Sequence, residues 1–363
     1  MKSILIAEIG VNHDGDINKA KRLIEAAKLS GADAVKFQTF KAEQLVTHNS
    51  PKAKYQELST GTGTQFQMLK SLELTNEQFV ELSLFCSALN IEFMSTPFDV
   101  ESLHFLLSTL KIKRIKLSSG DLTNLPFIYE VGQAKIPTII STGGATLEEV
   151  DNAVIAWSLG RSDTSPSKKS FEMNEFERLE TISVLDLNDL SILQCTTQYP
   201  ASAENLNLRV IASYIERYPC RIGFSDHSTG FEAALGAVAL GATIVEKHIT
   251  ENTTDVGPDH SASMEISKFA ALVESIRFLE KALGSADKFP TPEELETIKV
   301  ARKSLVAARN ISAGHPLEPD DLIALRPLGG LAPSQYWSLI GMPASVNILK
   351  GDFLDDSNTS RIR

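Results

Sequence analysis

A chain of 363 residues is too long for one ordinary domain and fits a barrel followed by a small module. Its hydrophobic content of 42% is that of a globular protein in water, and a net charge of -11 excludes the basic footprint of a nucleic-acid binder. Any anionic ligand must therefore be held by local basic groups rather than by the overall field.

The three cysteines, Cys86, Cys195 and Cys220, show no metal-ligand spacing and read as reduced thiols, with Cys195 and Cys220 as small apolar residues at strand edges. The first residues, Met1 to Glu8, lack a signal-peptide core and cleavage site, and no apolar run approaches membrane-spanning length. A cytoplasmic location without membrane contact is expected.

In chain order, Ile4 to Ile9 reads as a buried strand, followed by a helix with Ile17, Ala20, Leu23, Ile24 and Ala27 on one face and a stop at Gly31. Ala34 to Gln38 is the second strand. The polar stretch from Thr39 to Leu72 is too long for an ordinary connection, and such lengths usually carry function or mobility. The strand–helix alternation then repeats, with further strands at Ile91 to Ser95, Arg114 to Leu117, Thr138 to Ser141 and Ser191 to Cys195. The segment Arg161 to Asp189 breaks the rhythm and reads as an insertion away from the chemistry, with its polar first part, Ser162 to Ser170, exposed. The last two strands are Gly223 to His227 and Ile244 to His248, and a final helix runs from Ser267 to Leu283. Eight such units, with polar residues at nearly every strand end, predict an α/β fold of the (β/α)8 TIM-barrel type over residues 1–284. A linker is expected over 285–298 and a small, mostly β module over 299–363.

The strand ends carry the chemistry. Gly223-Phe-Ser-Asp-His227 and Ile244-Val-Glu-Lys-His248 are apolar runs that each end in a histidine, joined by the helical segment Phe231 to Leu240. Parallel strands one crossover apart are usually neighbours, so the two imidazoles should sit side by side. Alternation puts Ser225 on the face of His227, and Glu246 on that of His248. Two imidazoles with nearby oxygen donors suit a divalent metal with open positions; the plain reading is two histidines capping buried strands. Lys36 and Lys116 follow apolar strand residues, where a cation is costly unless an anion is bound or a carboxylate such as Glu8 or Glu246 pairs it. With hydroxyls at Thr96, Ser119 and Ser141 and glycines nearby, they predict a phosphorylated or carboxylated substrate. Barrel closure brings Glu8 beside the last strand, as the candidate general acid or base.

Ala7-Glu-Ile-Gly-Val-Asn-His-Asp-Gly15, Val35-Lys-Phe-Gln-Thr39, Ser95-Thr-Pro-Phe98, Lys116-Leu-Ser-Ser-Gly120, Ser141-Thr-Gly143, Gly223-Phe-Ser-Asp-His227, Glu246-Lys-His248 and Gly257-Pro-Asp-His260 together resemble the sialic acid (N-acetylneuraminate) synthase family of bacteria. The tail resembles their C-terminal SAF, or antifreeze-like (β-clip), domain. The resemblance implies condensation of phosphoenolpyruvate with open-chain N-acetylmannosamine and water, giving N-acetylneuraminate and phosphate. It also implies a divalent metal on His227 and His248, manganese first and magnesium or cobalt as alternatives. By matching position, Lys36, Thr96, Lys116, Ser119, Ser141 and Thr197 would cradle phosphoenolpyruvate. Gln38, Asp121, Tyr199, Ser225, Glu246 and Asp259 would contact the sugar or surround the metal. Arg326 would reach the sugar's N-acyl group from the partner subunit of a domain-swapped homodimer. Asp121 stands where the family often has Glu, and Leu328 where Gly is usual.

Three other readings remain open. The same chemistry on a diacetamido-6-deoxy hexose would make a legionaminate or pseudaminate synthase. A Schiff-base aldolase would use Lys36 or Lys116 as nucleophile and be indifferent to EDTA. A non-catalytic carbohydrate-binding protein would bind sugar without turnover. The resemblance predicts that Arg326→Ala raises the sugar KM far more than the phosphoenolpyruvate KM; steady-state kinetics with each substrate varied in turn checks this, and an equal rise in both counts against it.

Overall fold

Runs such as Ile4-Leu-Ile-Ala7 and Thr138-Ile-Ile140 have no side to turn to water, so they persist only where both faces are covered. In the structure, a computed structural model that describes residues 2–359, they form eight parallel strands. These are β1 (Ile4–Gly10), β2 (Ala34–Thr39), β3 (Glu92–Pro97), β4 (Ile115–Leu117), β5 (Thr138–Ser141), β6 (Leu190–Cys195), β7 (Arg221–Asp226) and β8 (Ile244–Thr250). Their order, β3-β2-β1-β8-β7-β6-β5-β4, joins β1 to β8 and leaves β3 and β4 at the two ends, lying side by side. The result is a nearly closed barrel. A two-residue strand, β9 (Met264–Glu265), pairs with the end of β8.

The barrel interior is layered by the two-residue period of its strands. Ile6, Ala34, Met94, Ile139, Leu193 and Ile244 fill one buried apolar layer. Two residues further along the same strands stand Glu8, Lys36, Thr96, Ser141, Cys195 and Glu246, all buried. An apolar floor thus lies directly beneath a polar layer at the strands' C-terminal ends.

The β3–β4 seam has no backbone ladder among the described residues. Near its N-terminal end the Arg114 guanidinium bridges it, donating from Nε and Nη2 to the Glu92 carboxylate at 3.0 and 3.3 Å.

Amphipathic helices cover the outside. The first, Ile17–Leu29, is capped by Asp16, whose side chain accepts from Asn18 N–H, and buries Ala20, Leu23, Ile24 and Ala27. Helices Leu125–Gln133 and Leu147–Arg161 approach so closely that each needs a glycine. A Cβ on Gly132 would fall on the Trp157 carbonyl oxygen, and one on Gly160 on that of Tyr129.

The structure places short helices in three stretches of irregular sequence. The stretch Thr39 to Leu72 contains helices Ala42–Leu45, Lys54–Thr60 and Gln65–Leu72, the last started by a Thr64–Gln67 capping box. In the 161–189 insertion, residues 162–169 are exposed as expected, and helix Glu175–Ser183 starts at an Asn174–Glu177 box and buries Ile182 and Arg178. The Arg178 guanidinium lies 3.1 Å from Glu148 and 3.6 Å from Asp151, which ties the segment to helix Leu147–Arg161. Short helices with box signals but weak apolar periodicity are easily read as loop. The stretch taken as a linker holds a third such helix, Pro292–Ala301, none of whose residues is buried.

The described chain divides between Gly284 and Ser285. The second unit, Ser285–Arg363, has an antiparallel pair, β10 (Ser304–Ala307) and β11 (Leu322–Leu325), over its own core, which includes Leu305, Ile311, Leu339, Ile348 and Leu354. Ile311 and Ile348, from two runs of similar pattern, bond each other's backbone at 2.8 Å in both directions. Among the described residues no helix is long and apolar enough to cross a membrane.

Gly160→Ala tests the helix contact. Alanine gains about 1 kcal/mol of helix propensity, but overpacking against a fixed carbonyl costs about 1–3 kcal/mol or more. Urea unfolding should show net destabilisation.

Candidate active site

The polar layer opens into a cavity of about 380 Å³ at the strands' C-terminal ends. It is lined from β1 by Glu8, from β2 by Lys36 and Gln38, from β3 by Thr96, and from β4 and its following turn by Lys116 and Ser119. Ser141 of β5, Thr197 and Tyr199 after β6, Ser225 and His227 of the β7 end, Glu246 and His248 of β8, and Asp259 add to the polar lining. Two expected residues are not part of it. Asp121 sits in the turn after β4, where its carboxylate accepts from Ser118 Oγ at 2.7 Å. Arg326 is exposed and belongs to the second unit.

Four buried charges face one another across the barrel. Lys36 Nζ lies 2.8 Å from Glu8 Oε2 and 3.7 Å from Glu246 Oε2, and Lys116 Nζ lies 3.6 Å from Glu246 Oε1. Both lysines also touch hydroxyls: Lys36 donates to Thr96 Oγ1 at 3.1 Å and Lys116 to Ser141 Oγ at 2.6 Å. Burial pushes the Glu8 carboxyl up to about 7 despite Lys36 beside it. Burial acts the same way on Glu246, but Lys116 and Lys36 together outweigh it and draw that carboxyl down to about 2. Burial lowers Lys116, which has the weaker carboxylate contact. The bland alternative for each lysine, an ion pair with Glu8 or Glu246, is therefore present, and both lysines still open onto the cavity.

Backbone geometry extends the cationic side. Gly143 N–H donates to Ser119 Oγ at 2.9 Å, and a Cβ on Gly143 would come within 3.1 Å of Thr197 N. Two lysines, four hydroxyls and a glycine turn make a concave cradle for an oxyanion.

The opposite side suits a metal. The rings of His227 and His248 lie 5.5 Å apart at 64°. His227 Nδ1 donates to the Thr196 carbonyl at 2.7 Å, so Nε2, 3.1 Å from the Tyr199 hydroxyl, is the nitrogen that faces other partners. His248 is pushed well below the usual imidazole range by burial and by His227, so it is neutral. Its buried Nδ1 has no hydrogen-bond partner among the described residues and lies 3.9 Å from Asp259 Oδ2. An unpartnered, neutral imidazole nitrogen beside a carboxylate and a second imidazole is a donor set that fits a divalent cation.

Two motifs hold Asp259 in place. His260 bonds Asp14 Oδ1 through Nε2 at 3.0 Å and Thr250 Oγ1 through Nδ1 at 2.7 Å. Lys19 bridges Asp14 and Asp255 at 2.7 Å each. The loop after β8 is thereby fastened to the loop after β1.

Sequence reasoning missed several lining residues. Tyr55, on helix Lys54–Thr60, stacks on Tyr199 with centroids 5.4 Å apart, and Tyr199 in turn covers His227 at 4.1 Å. Val11, Leu45, Met68, Leu72 and Phe98 form an apolar wall. The length of the Thr39 to Leu72 stretch signalled function, but nothing local singled out Tyr55. Cys195, taken as an inert edge residue, lines the cavity with Sγ 3.7 Å from His227 Nδ1. Its position two residues beyond the inward-facing Leu193 was the available signal.

A (β/α)8 barrel with a cradle suited to an anion facing a histidine pair suited to a metal across one mouth is an arrangement fit for lyase- or synthase-type chemistry. The sequence comparisons narrow it: the NeuB family matches residues 23–288 and the SAF domain residues 302–358, and this chain belongs to the NeuB family. The N,N'-diacetyllegionaminic acid synthase of Legionella pneumophila is 40% identical over 98% of this chain and 94% of its own length. The enzyme of the same name from Campylobacter jejuni is 37% identical over 97% and 99%. Among solved structures, the N-acetylneuraminic acid (sialic acid) synthetase of Leptospira borgpetersenii, in complex with citrate, superposes with a TM-score of 0.66 at 29% identity, over 82% of this chain and 90% of that one. The chain is thus an enzyme of the N-acetylneuraminate-synthase type.

Lys116→Met should weaken inorganic phosphate binding by about tenfold or more, the worth of one charge-assisted hydrogen bond. Calorimetric titration reads it, and an unchanged affinity removes Lys116 from the cradle.

Proposed function

We propose that this enzyme condenses phosphoenolpyruvate and water with a diacetamido-6-deoxy hexose, giving a legionaminate-type nine-carbon acid and phosphate. The observation that carries the sugar is the wall of Val11, Leu45, Met68, Leu72 and Phe98, which suits a methyl terminus better than a hydroxymethyl one. Among the described residues Lys36 and Lys116 are the only Lys or Arg side chains lining the cavity, so no cation remains there for a sugar phosphate. The names of the two similar bacterial synthases support the same choice. On this ground N-acetylmannosamine, the first expectation from sequence, gives way to its 6-deoxy relative.

Lys36, Lys116, Thr96, Ser119, Ser141 and Thr197 hold the phosphate and carboxylate of phosphoenolpyruvate. A divalent ion, manganese by preference, held by His227 and His248 with Asp259 and Glu246 close by, would polarise the sugar aldehyde when bound. Tyr199, Gln38 and Ser225 orient the open-chain sugar under Tyr55. Carbon 3 of phosphoenolpyruvate attacks the aldehyde carbon, whose oxygen takes a proton and becomes a hydroxyl. Water adds to carbon 2, and the tetrahedral product loses phosphate by C–O cleavage to leave the 2-keto acid. Glu8, whose Oε1 accepts from Gln38 Nε2 at 3.2 Å, stands where it can exchange a proton with that water or with the sugar oxygen. Arg326, exposed and in no ion pair among the described residues, is the candidate for the acyl group, delivered by a second copy of the chain.

The test is phosphate release from phosphoenolpyruvate plus manganese, with the diacetamido-6-deoxy hexose and N-acetylmannosamine in separate reactions. Each has an EDTA control and product mass analysis. EDTA-sensitive release with the first sugar at the higher kcat/KM is expected. Preference for N-acetylmannosamine would overturn the choice of sugar, and EDTA-insensitive turnover would revive the Schiff-base reading.

A further inference from the structure

Two buried ionisable residues next to the histidines take no part in this chemistry. Side chains alternate along a strand, so where His227 and His248 face the cavity, their neighbours Asp226 and Lys247 face away from it. Asp226 and Lys247 stand opposite each other in the β7–β8 register, each about 1% exposed. Lys247 Nζ lies 2.9 Å from Asp226 Oδ2, donates to the Gly230 carbonyl at 2.8 Å and donates also to the Ser228 carbonyl. The ammonium is thus held by two backbone carbonyls and by the Asp226 charge. Asp226 Oδ1 accepts from Ser228 N–H at 2.8 Å and from Ser228 Oγ at 2.7 Å.

A buried ion pair is weak evidence for stability, because apolar residues of like volume often serve as well. What this pair does is geometric. It ties β8, one residue before His248, to β7, one residue before His227, and to the turn that follows His227. His227 has a further constraint in its bond to the Thr196 carbonyl. The Nδ1 of His248 has no hydrogen-bond partner among the described residues, so the placement of that nitrogen rests on its strand.

We infer that the Asp226–Lys247 pair is a positioning device that sets the spacing of His227 and His248 for metal binding. The inference rests on the reading of those histidines as the metal site. Partners that orient ligands from behind typically change metal affinity by about 10–100-fold when removed.

Manganese binding to the full-length protein, titrated by electron paramagnetic resonance without substrates, tests it. Lys247→Met and the charge-neutral pair Asp226→Asn with Lys247→Met are compared with wild type and with His248→Ala. The double variant leaves no unpaired buried charge and decides the matter if the single one does not fold. The expected result is a manganese Kd weakened by about tenfold or more. Phosphate affinity should hold within about twofold, because among the described residues Asp226 and Lys247 make no ion pair with Lys36 or Lys116. Unchanged manganese affinity in a folded variant, with binding lost in His248→Ala, overturns the positioning role alone. Parallel loss of manganese and phosphate affinity also overturns it, since that marks general disruption. Wild-type manganese affinity in His248→Ala removes the metal site and the inference with it.

Discussion

The structure is built around the mutual neutralisation of Lys36, Lys116, Glu8 and Glu246 above an apolar floor. Carrying a charge into such a place costs several kcal/mol per ion, and stripping one partner from a buried pair costs about 3–5 kcal/mol. The four groups are therefore committed to one another until something better arrives. An oxyanion with two or more acceptor atoms competes with the carboxylates for both lysines, and its binding weakens the hold on Glu8. On the proposed assignment of Glu8 as the proton-transfer group, substrate recognition and the readying of that group are one rearrangement of the same charges.

That constraint explains how the chain distributes its other residues. A floor of Ile6, Met94, Ile139 and Leu193 keeps water from approaching the quartet from below. The hydroxyls of Thr96, Ser141 and Ser225 meet part of each ion's remaining hydrogen-bonding capacity, which lysines and carboxylates alone could not fill in this geometry. The helices between β2 and β3 bring Tyr55 and Met68 to the cavity lining, apart from the buried charges. Substitutions in that segment can therefore reshape the cavity without disturbing the buried charges.

Much of this was legible in the sequence because strand periodicity is unforgiving. Glu8, Lys36, Glu246 and the two histidines each end an apolar run, and the one-in, one-out rule places them on the inner face without further information. Barrel closure, which sets Glu8 opposite His248 in register, followed from counting the strands. The helices Lys54–Thr60 and Glu175–Ser183 were not legible, because each has only one or two buried residues and leans on the barrel rather than on its own pattern. Asp121 was expected at the cavity, but in a tight turn a short side chain finds Ser118 first. Cys195 was legible in principle: its partner two residues back is a floor residue, and composition was weighed where position should have been.

The β3–β4 seam separates Thr96 from Lys116, two members of the anion cradle. With the seam pinned near its N-terminal end by Arg114 and Glu92 and lacking a ladder above, the two sides can spread at the mouth without breaking a backbone hydrogen bond. Elsewhere around the ring the same displacement would rupture parallel-strand bonds. The barrel therefore has a built-in compliance between two members of the proposed cradle, where a ligand of varying girth can be accommodated.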